Sequence, residues 1–143
     1  MADIVYPYAK YRFTVEIEGI SVAGFSEASG FDASIEVIKY REGNMTQTEM
    51  KLAGLKSYSN ITLKKGTTDD KALYDWMIAG VNGAVQRKTI TITIHDEDGN
   101  AKASWQVINA WPCKYTAPDF NATSNEVAIE QLEIAHEGLT RVK

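Results

Sequence analysis

At 143 residues and 15.8 kDa the chain has the length of one domain with its own core, and 44% hydrophobic against 24% charged residues gives no compositional case for disorder. A net charge of -4 and a pI near 5.2 disfavour sequence-independent binding to nucleic acid. The single cysteine, Cys113, excludes an intrachain disulfide and a cysteine-based zinc cluster.

The first segment, MADIVYPYAKYRF, holds Asp3 and Pro7 and no apolar run, so it does not read as a secretory signal. No later stretch is apolar for long enough to span a membrane. Synthesis and folding in the cytoplasm are expected, with no membrane insertion by the isolated chain. Residues 11–18, YRFTVEIE, alternate, with Phe13, Val15 and Ile17 on one face and Arg12, Thr14, Glu16 and Glu18 on the other, which predicts a half-buried strand. A turn-prone stretch between Gly24 and Phe31 leads to a second extended run, SIEVIKYR at 34–41. Residues 42–58, EGNMTQTEMKLAGLKSY, then form a connection far longer than a hairpin needs, carrying Met45, Met50, Leu52 and Leu55 between possible hinges at Gly43 and Gly54. Two readings fit it: a lid over the subunit's own core, or an assembly loop that reaches another subunit.

A third strand, NITLKK at 60–65, sets Ile61 and Leu63 against Asn60, Thr62 and Lys64. After Gly66 the period lengthens, because Leu73, Trp76, Met77 and Val81 recur at helical spacing. One helix is predicted over about 68–80, with Thr67 and Asp70 as a capping box and Gly80 and Gly83 at its end. The intervening KKGTTDD has one glycine, both lysines ahead of it, and two carboxylates where an anion would sit. It is therefore read as a helix cap and not as a phosphate cradle.

Residues 87–111 read as two antiparallel strands, with Ile90, Ile92 and Ile94 inward, Thr89, Thr91 and Thr93 outward, and a turn at Asp98, Gly99 and Asn100. Pro112 places an edge, a bulge or a strand end. In the last strand, NEVAIEQLEIAHEG, Val127 and Ile129 are one step out of phase with Leu132 and Ile134, so a bulge near Glu130 and Gln131 is predicted. The sum is a mainly β protein, an antiparallel β-sandwich or barrel with one flanking helix, as a single domain over 1–143.

Sites for chemistry are sparse. HDEDGN lacks the glycine and glutamate spacing of a calcium loop and reads as a solvated turn. His95 and His136 are the two histidines, each in strand sequence beside charged residues, and are assigned to surface or interface positions. No serine sits in a G-x-S-x-G elbow, and Cys113 follows a proline in a strand. No catalytic residue, cofactor or metal is assigned, and the residues point to binding or assembly. A monomeric β-sandwich binding a carbohydrate or peptide, with Trp105, Trp111 and the tyrosines as a stacking platform, is the alternative to an assembling subunit.

The order of motifs carries a resemblance. RFTVEIEGISVAGFSEASGF, YREGN, LKSYSNITLKKGTTDDKALYDW and NAWPCKYTAPDFNATSNEVAIEQLEIAHEGL together resemble the inner tail-tube protein of contractile phage tails and phage-tail-like contractile injection systems. The resemblance runs along nearly the whole chain. It implies a structural, non-catalytic subunit that closes into a hexameric ring with a continuous inner β-barrel, with rings stacking into a hollow tube. The implied partners are copies of the chain, a surrounding sheath protein, baseplate and cap proteins, and a protein or DNA cargo in the lumen. On this reading Tyr40, Arg41, Glu42, Gly43, Met45, Met50, Leu52 and Leu55 are expected at inter-subunit contacts. Asn60, Thr62 and Lys64, pointing away from Ile61 and Leu63, are expected in the lumen.

Overall fold

In the computed structural model, residues 12–20, 24–40, 43, 50–123 and 127–143 are described. The chain order is β1 (Phe13–Ile17), β2 (Phe25–Ser29), β3 (Ala33–Tyr40), β4 (Met50–Tyr58), β5 (Ile61–Gly66), α1 (Ala72–Val81), β6 (Lys88–His95), β7 (Ala101–Thr116), β8 (Ile129–Ala135) and β9 (Gly138–Arg141). All pairings are antiparallel.

The long strand β7 organises the molecule by serving two sheets. Its first part pairs with β6 and β9, and β6 in turn pairs with β1. Its second part pairs with β8, followed by β5 and β2. The change of sheet falls at two irregularities. Between Ile90 and Lys88 of β6, β7 carries an extra residue around Asn109, whose φ of 52° lies in the left-handed region that asparagine tolerates better than most side chains. A second shift at Pro112–Lys114 absorbs the proline, so the predicted break is a bulge inside a continuous strand.

Val15, Ile17, Ile90, Val107 and Ala110 of the first sheet share one core with Ile61, Leu63, Leu132 and Ile134 of the second, joined by Leu73 and Trp76 of α1. The inward phases of β1, β5 and β6 agree with the sequence pattern: Val15, Ile17, Ile61, Leu63 and Ile90 are buried, and Phe13 and Ile92 pack on the core.

Three expectations are corrected. The helix begins at Ala72, because the backbone N–H of Thr67 donates to the Ala128 carbonyl and prolongs the β5–β8 pairing. The residue capping the helix start is Lys71, and the Asp70 carboxylate accepts from the Ala72 N–H at 3.0 Å, so the Thr67 capping box does not form. Second, β8 has no bulge near Glu130 and Gln131: its register with β5 is continuous from Gly66↔Ile129 to Ile61↔Ile134, and Val127 lies exposed before the strand. The inward place is taken by Glu130, a charged residue that a hydrophobic pattern cannot count. Third, residues 50–58 are not part of a loop. They form β4, because alternation against β3 completes an antiparallel hairpin.

Candidate assembly surfaces

The β3–β4 hairpin forms its own two-stranded sheet, separate from the two that β7 joins. All eight residues of β3 are exposed. A strand buried on neither face normally carries polar side chains on both, yet Ile35, Val37, Ile38, Tyr40, Met50, Leu52 and Leu55 are all between 46% and 78% exposed. The register sorts them. Tyr40 lies opposite Met50 and Ile38 opposite Leu52, giving one apolar face, while Lys39 lies directly opposite Lys51 on the other. Between Ile35 and Val37 one residue of β3, Glu36, faces Gly54 and Leu55 of β4. Gly54 is thus a bulge position and not a loop hinge; a Cβ there would stand 3.0 Å from the Glu36 carbonyl oxygen.

Of the expected inter-subunit residues, Tyr40, Met50, Leu52 and Leu55 are exposed on this hairpin and Gly43 is an exposed turn residue. Arg41, Glu42 and Met45 lie outside the described residues. The hairpin is rooted at the start of β5. Ser34 and Ser57 hydroxyls meet at 2.7 Å, the Tyr58 ring stacks on His136 with centroids 5.5 Å apart, and His136 Nε2 reaches the Ser59 carbonyl oxygen at 3.0 Å.

A second surface is the outer face of β2, β5, β8 and the end of β7. Cross-strand partners share a face, so Thr62 stands with Ser29 and Glu133, and Lys64 with Glu27 and Gln131, while Lys114 and Thr116 extend the row. Every side chain in this row is polar. Its charges balance, with Glu27 and Glu133 against Lys64 and Lys114, and the Lys64 ammonium lies 3.4 Å from the Glu27 carboxylate. Asn60, just before the strand, donates to the Glu133 carboxylate at 3.0 Å. The three expected lumen residues therefore lie together on or beside one polar face.

Chemically active groups are held in structural roles. His95 Nε2 lies 3.0 Å from the Thr14 hydroxyl, and its Nδ1 lies 3.3 Å from the Gly99 carbonyl oxygen. The Cys113 thiol donates to the Glu133 carbonyl at 3.4 Å, and burial, with the nearby Glu133 charge, pushes its pKa up, opposite to a nucleophile. The Tyr115 hydroxyl, half-buried and donating to Glu130 at 2.8 Å, has its pKa pushed up to about 12. Among the described residues no group of three His, Cys, Asp or Glu side chains could hold a metal ion, and no helix is long and apolar enough to cross a membrane. Trp105 and Trp111 lie under the guanidinium groups of Arg141 and Arg87, at 5.4 and 6.0 Å. An arginine over each indole engages one ring face in a cation–π contact within the subunit.

One exposed feature gave no signal in the periodicity. The connection from Thr116 to Ile129 carries Phe120 at 88% and Val127 at 78% exposure, and Pro118, Phe120, Val127, Ala128 and Ile129 line a cleft of about 830 Å³ there. A lone phenylalanine among turn-forming residues, PDFNAT, is the sequence feature that marks it.

These surfaces suit a chain built to meet other chains, and the comparisons agree. No curated protein matches by sequence. A chain in the cryo-EM structure of the anti-feeding prophage cap is 35% identical, covering 99% of this chain and 94% of its own, with a TM-score of 0.87. Chains in two structures of the PVC extracellular contractile injection system, the sheath–tube complex and the sheath/tube terminator in the extended state, are each 32% identical. They cover 95% and 99% of this chain and 91% and 100% of their own, with TM-scores of 0.85 and 0.88. Hcp1 from Flavobacterium johnsoniae, 16% identical over 92% of this chain and 95% of its own, shares the fold with a TM-score of 0.63. The model of the T4-like virus tail tube protein gp19 family matches residues 9–140, and this chain belongs to that family of structural tube proteins.

Proposed function

We propose that the chain builds the inner tube of an extracellular contractile injection device, as hexameric rings whose β3–β4 hairpins contact neighbouring copies. The observation that carries this is the hairpin itself. A two-stranded ribbon is marginal alone in water. This one exposes Ile38, Tyr40, Met50 and Leu52 as one face, an arrangement that needs a partner. Tyr40, Arg41, Glu42, Gly43, Met45, Met50, Leu52 and Leu55 are its inter-subunit residues. Ring closure is a head-to-tail contact that closes by rotation, and stacking is one that stays open.

The lumen is assigned to the polar face bearing Asn60, Thr62 and Lys64. A charge-balanced wall of Thr, Ser, Gln and paired ions holds water and offers no strong field to trap a protein or nucleic-acid cargo. Similar chains come from a cap and a sheath–tube complex, which supports sheath and cap proteins as partners here, with a baseplate protein beside them. Synthesis takes place in the cytoplasm, ahead of assembly into the particle.

Electron microscopy of the purified chain and of Met50→Asp/Leu52→Asp tests the reading. The wild type should form rings and tubes. The variant should stay folded, because both side chains are about half exposed in the subunit, and should lose long tubes. Normal polymerisation by the variant would remove the hairpin from the interface; unfolding would make it a lid on its own subunit.

A further inference from the structure

The two histidines of the chain sit in different hydrogen-bonding settings. His95 Nδ1 faces the Gly99 carbonyl oxygen and its Nε2 faces the Thr14 hydroxyl, which can donate, so a neutral imidazole with its proton on Nδ1 satisfies both contacts. Both partners of His136 are acceptors. Its Nδ1 lies 3.2 Å from the Gly138 carbonyl oxygen and its Nε2 lies 3.0 Å from that of Ser59. A carbonyl only accepts, and only the imidazolium carries two N–H groups, so the two bonds exist together in the charged ring alone. Ser59 lies between β4 and β5, whereas His136 and Gly138 make the corner between β8 and β9. We infer that His136 is a proton-operated latch: its protonation ties the root of the β3–β4 hairpin to the β8–β9 corner, and its deprotonation releases the root.

The neutral ring keeps one N–H and sets a lone pair against the other carbonyl oxygen. The Gly138 contact is half-buried and the Ser59 contact is exposed, so water replaces the ring at Ser59 at less cost than at Gly138. The remaining proton therefore stays on Nδ1, and Ser59 is the partner given up. The other groups around the ring are engaged elsewhere. Tyr58 of β4 stacks on it, with centroids 5.5 Å apart. Glu137, next in the chain, holds Arg87 and Asn109, Glu133 of β8 accepts from Asn60, and the Cys113 thiol of β7 donates to the Glu133 carbonyl. Among the described residues no carboxylate forms an ion pair with His136. The hairpin pairs with no third strand there, so its root sets how freely the ribbon moves. Resting on the hairpin's role in assembly, acid conditions should favour tubes and deprotonation should disfavour them.

Nitrogen NMR of the imidazole rings in the unmodified protein, with His95→Gln to assign the signals, should show His136 with both nitrogens protonated at about pH 5 and only Nδ1 protonated at about pH 8, the span of ordinary histidine titration. A neutral His136 with its proton on Nε2 would overturn the release at Ser59. A spin label at Lys56→Cys in a Cys113→Ala background, read in dilute, unassembled protein, should gain mobility as pH rises across that span. In His136→Gln, which cannot become charged, the label should not respond. A response that survives His136→Gln, or no response with His136 present, would overturn the latch. Tube yield by electron microscopy over the same range separates the latch from its consequence: a responding label with constant tube yield keeps the latch and rejects its bearing on assembly. Loss of tubes in Met50→Asp/Leu52→Asp tests the hairpin's role in assembly independently.

Discussion

Lys65 and Glu130 are paired inside the subunit: the ammonium lies 3.4 Å from one carboxylate oxygen, and the two side chains are 3% and 10% exposed. They face each other in the β5–β8 register. The other carboxylate oxygen accepts the Tyr115 hydroxyl, and the ammonium also donates to the Asp70 carbonyl at 3.4 Å. The group thus ties three strands to the start of α1. Removing one partner strands a buried charge, whereas removing both removes the desolvation cost as well. Lys65→Met or Glu130→Leu alone should each lower unfolding free energy by about 3 to 5 kcal/mol, and the double variant by far less. Denaturant titration of the four proteins measures the coupling. Additive losses would show that the two charges are solvated separately.

Tyr115 gives this group a pH signature. Burial, then the hydrogen bond to Glu130, raise its pKa to about 12 from 10.0. The folded state therefore keeps the phenol proton that the unfolded chain loses near pH 10. Stability from this source is complete below pH 10 and falls as pH rises from 10 to 12. Melting temperatures across that range should drop more steeply for the wild type than for Tyr115→Phe. Parallel curves would mean that another group governs the alkaline limb.

Trp76 anchors α1. It is 3% exposed in the core, and its indole N–H donates to the Gln86 carbonyl at 2.8 Å, tying the helix to the segment that leads into β6. Trp76→Ala should cost about 3 to 5 kcal/mol, and assembly should fail with the fold. An unchanged melting temperature would place the anchor elsewhere.

Gly30 turns the chain from β2 toward the hairpin with φ of 89°, and a Cβ there would collide with the Asn60 carbonyl oxygen. Both the backbone conformation and the missing space require glycine. Gly30→Ala should destabilise the subunit by at least about 1 to 3 kcal/mol. A variant with wild-type stability would require the root of the hairpin to shift freely.

The lumen assignment is checked by labelling. In a Cys113→Ala background, cysteines at Asn60, Thr62 and Lys64 should react with small thiol reagents in assembled tubes and be protected from bulky ones. Equal reaction with bulky reagents in closed tubes would put this face outside.

Much of the architecture was legible in the chain because alternation records which face of a strand meets the core. Phe13, Val15 and Ile17, then Ile61 and Leu63, then Ile90 and Ile92 all kept their predicted phases, as did Leu73, Trp76 and Met77 on α1, whereas Val81, expected on the same face, is 64% exposed at the helix end. Pattern reading failed where an inward side chain is charged. Lys65, in phase with Ile61 and Leu63, received no place in the core, and Glu130 was given to a bulge; only their meeting across β5 and β8, with Tyr115 alongside, accounts for the burial of both. It failed also over residues 50–58, because Met50, Leu52 and Leu55 read as the apolar content of a long loop until β3 supplied the opposing register. Which exposed features lie at opposite ends of the subunit depends on strand order. Hairpin and Phe120 are separated by β5 only because that strand pairs with β8 along its whole length, a relation between distant segments that no local period encodes.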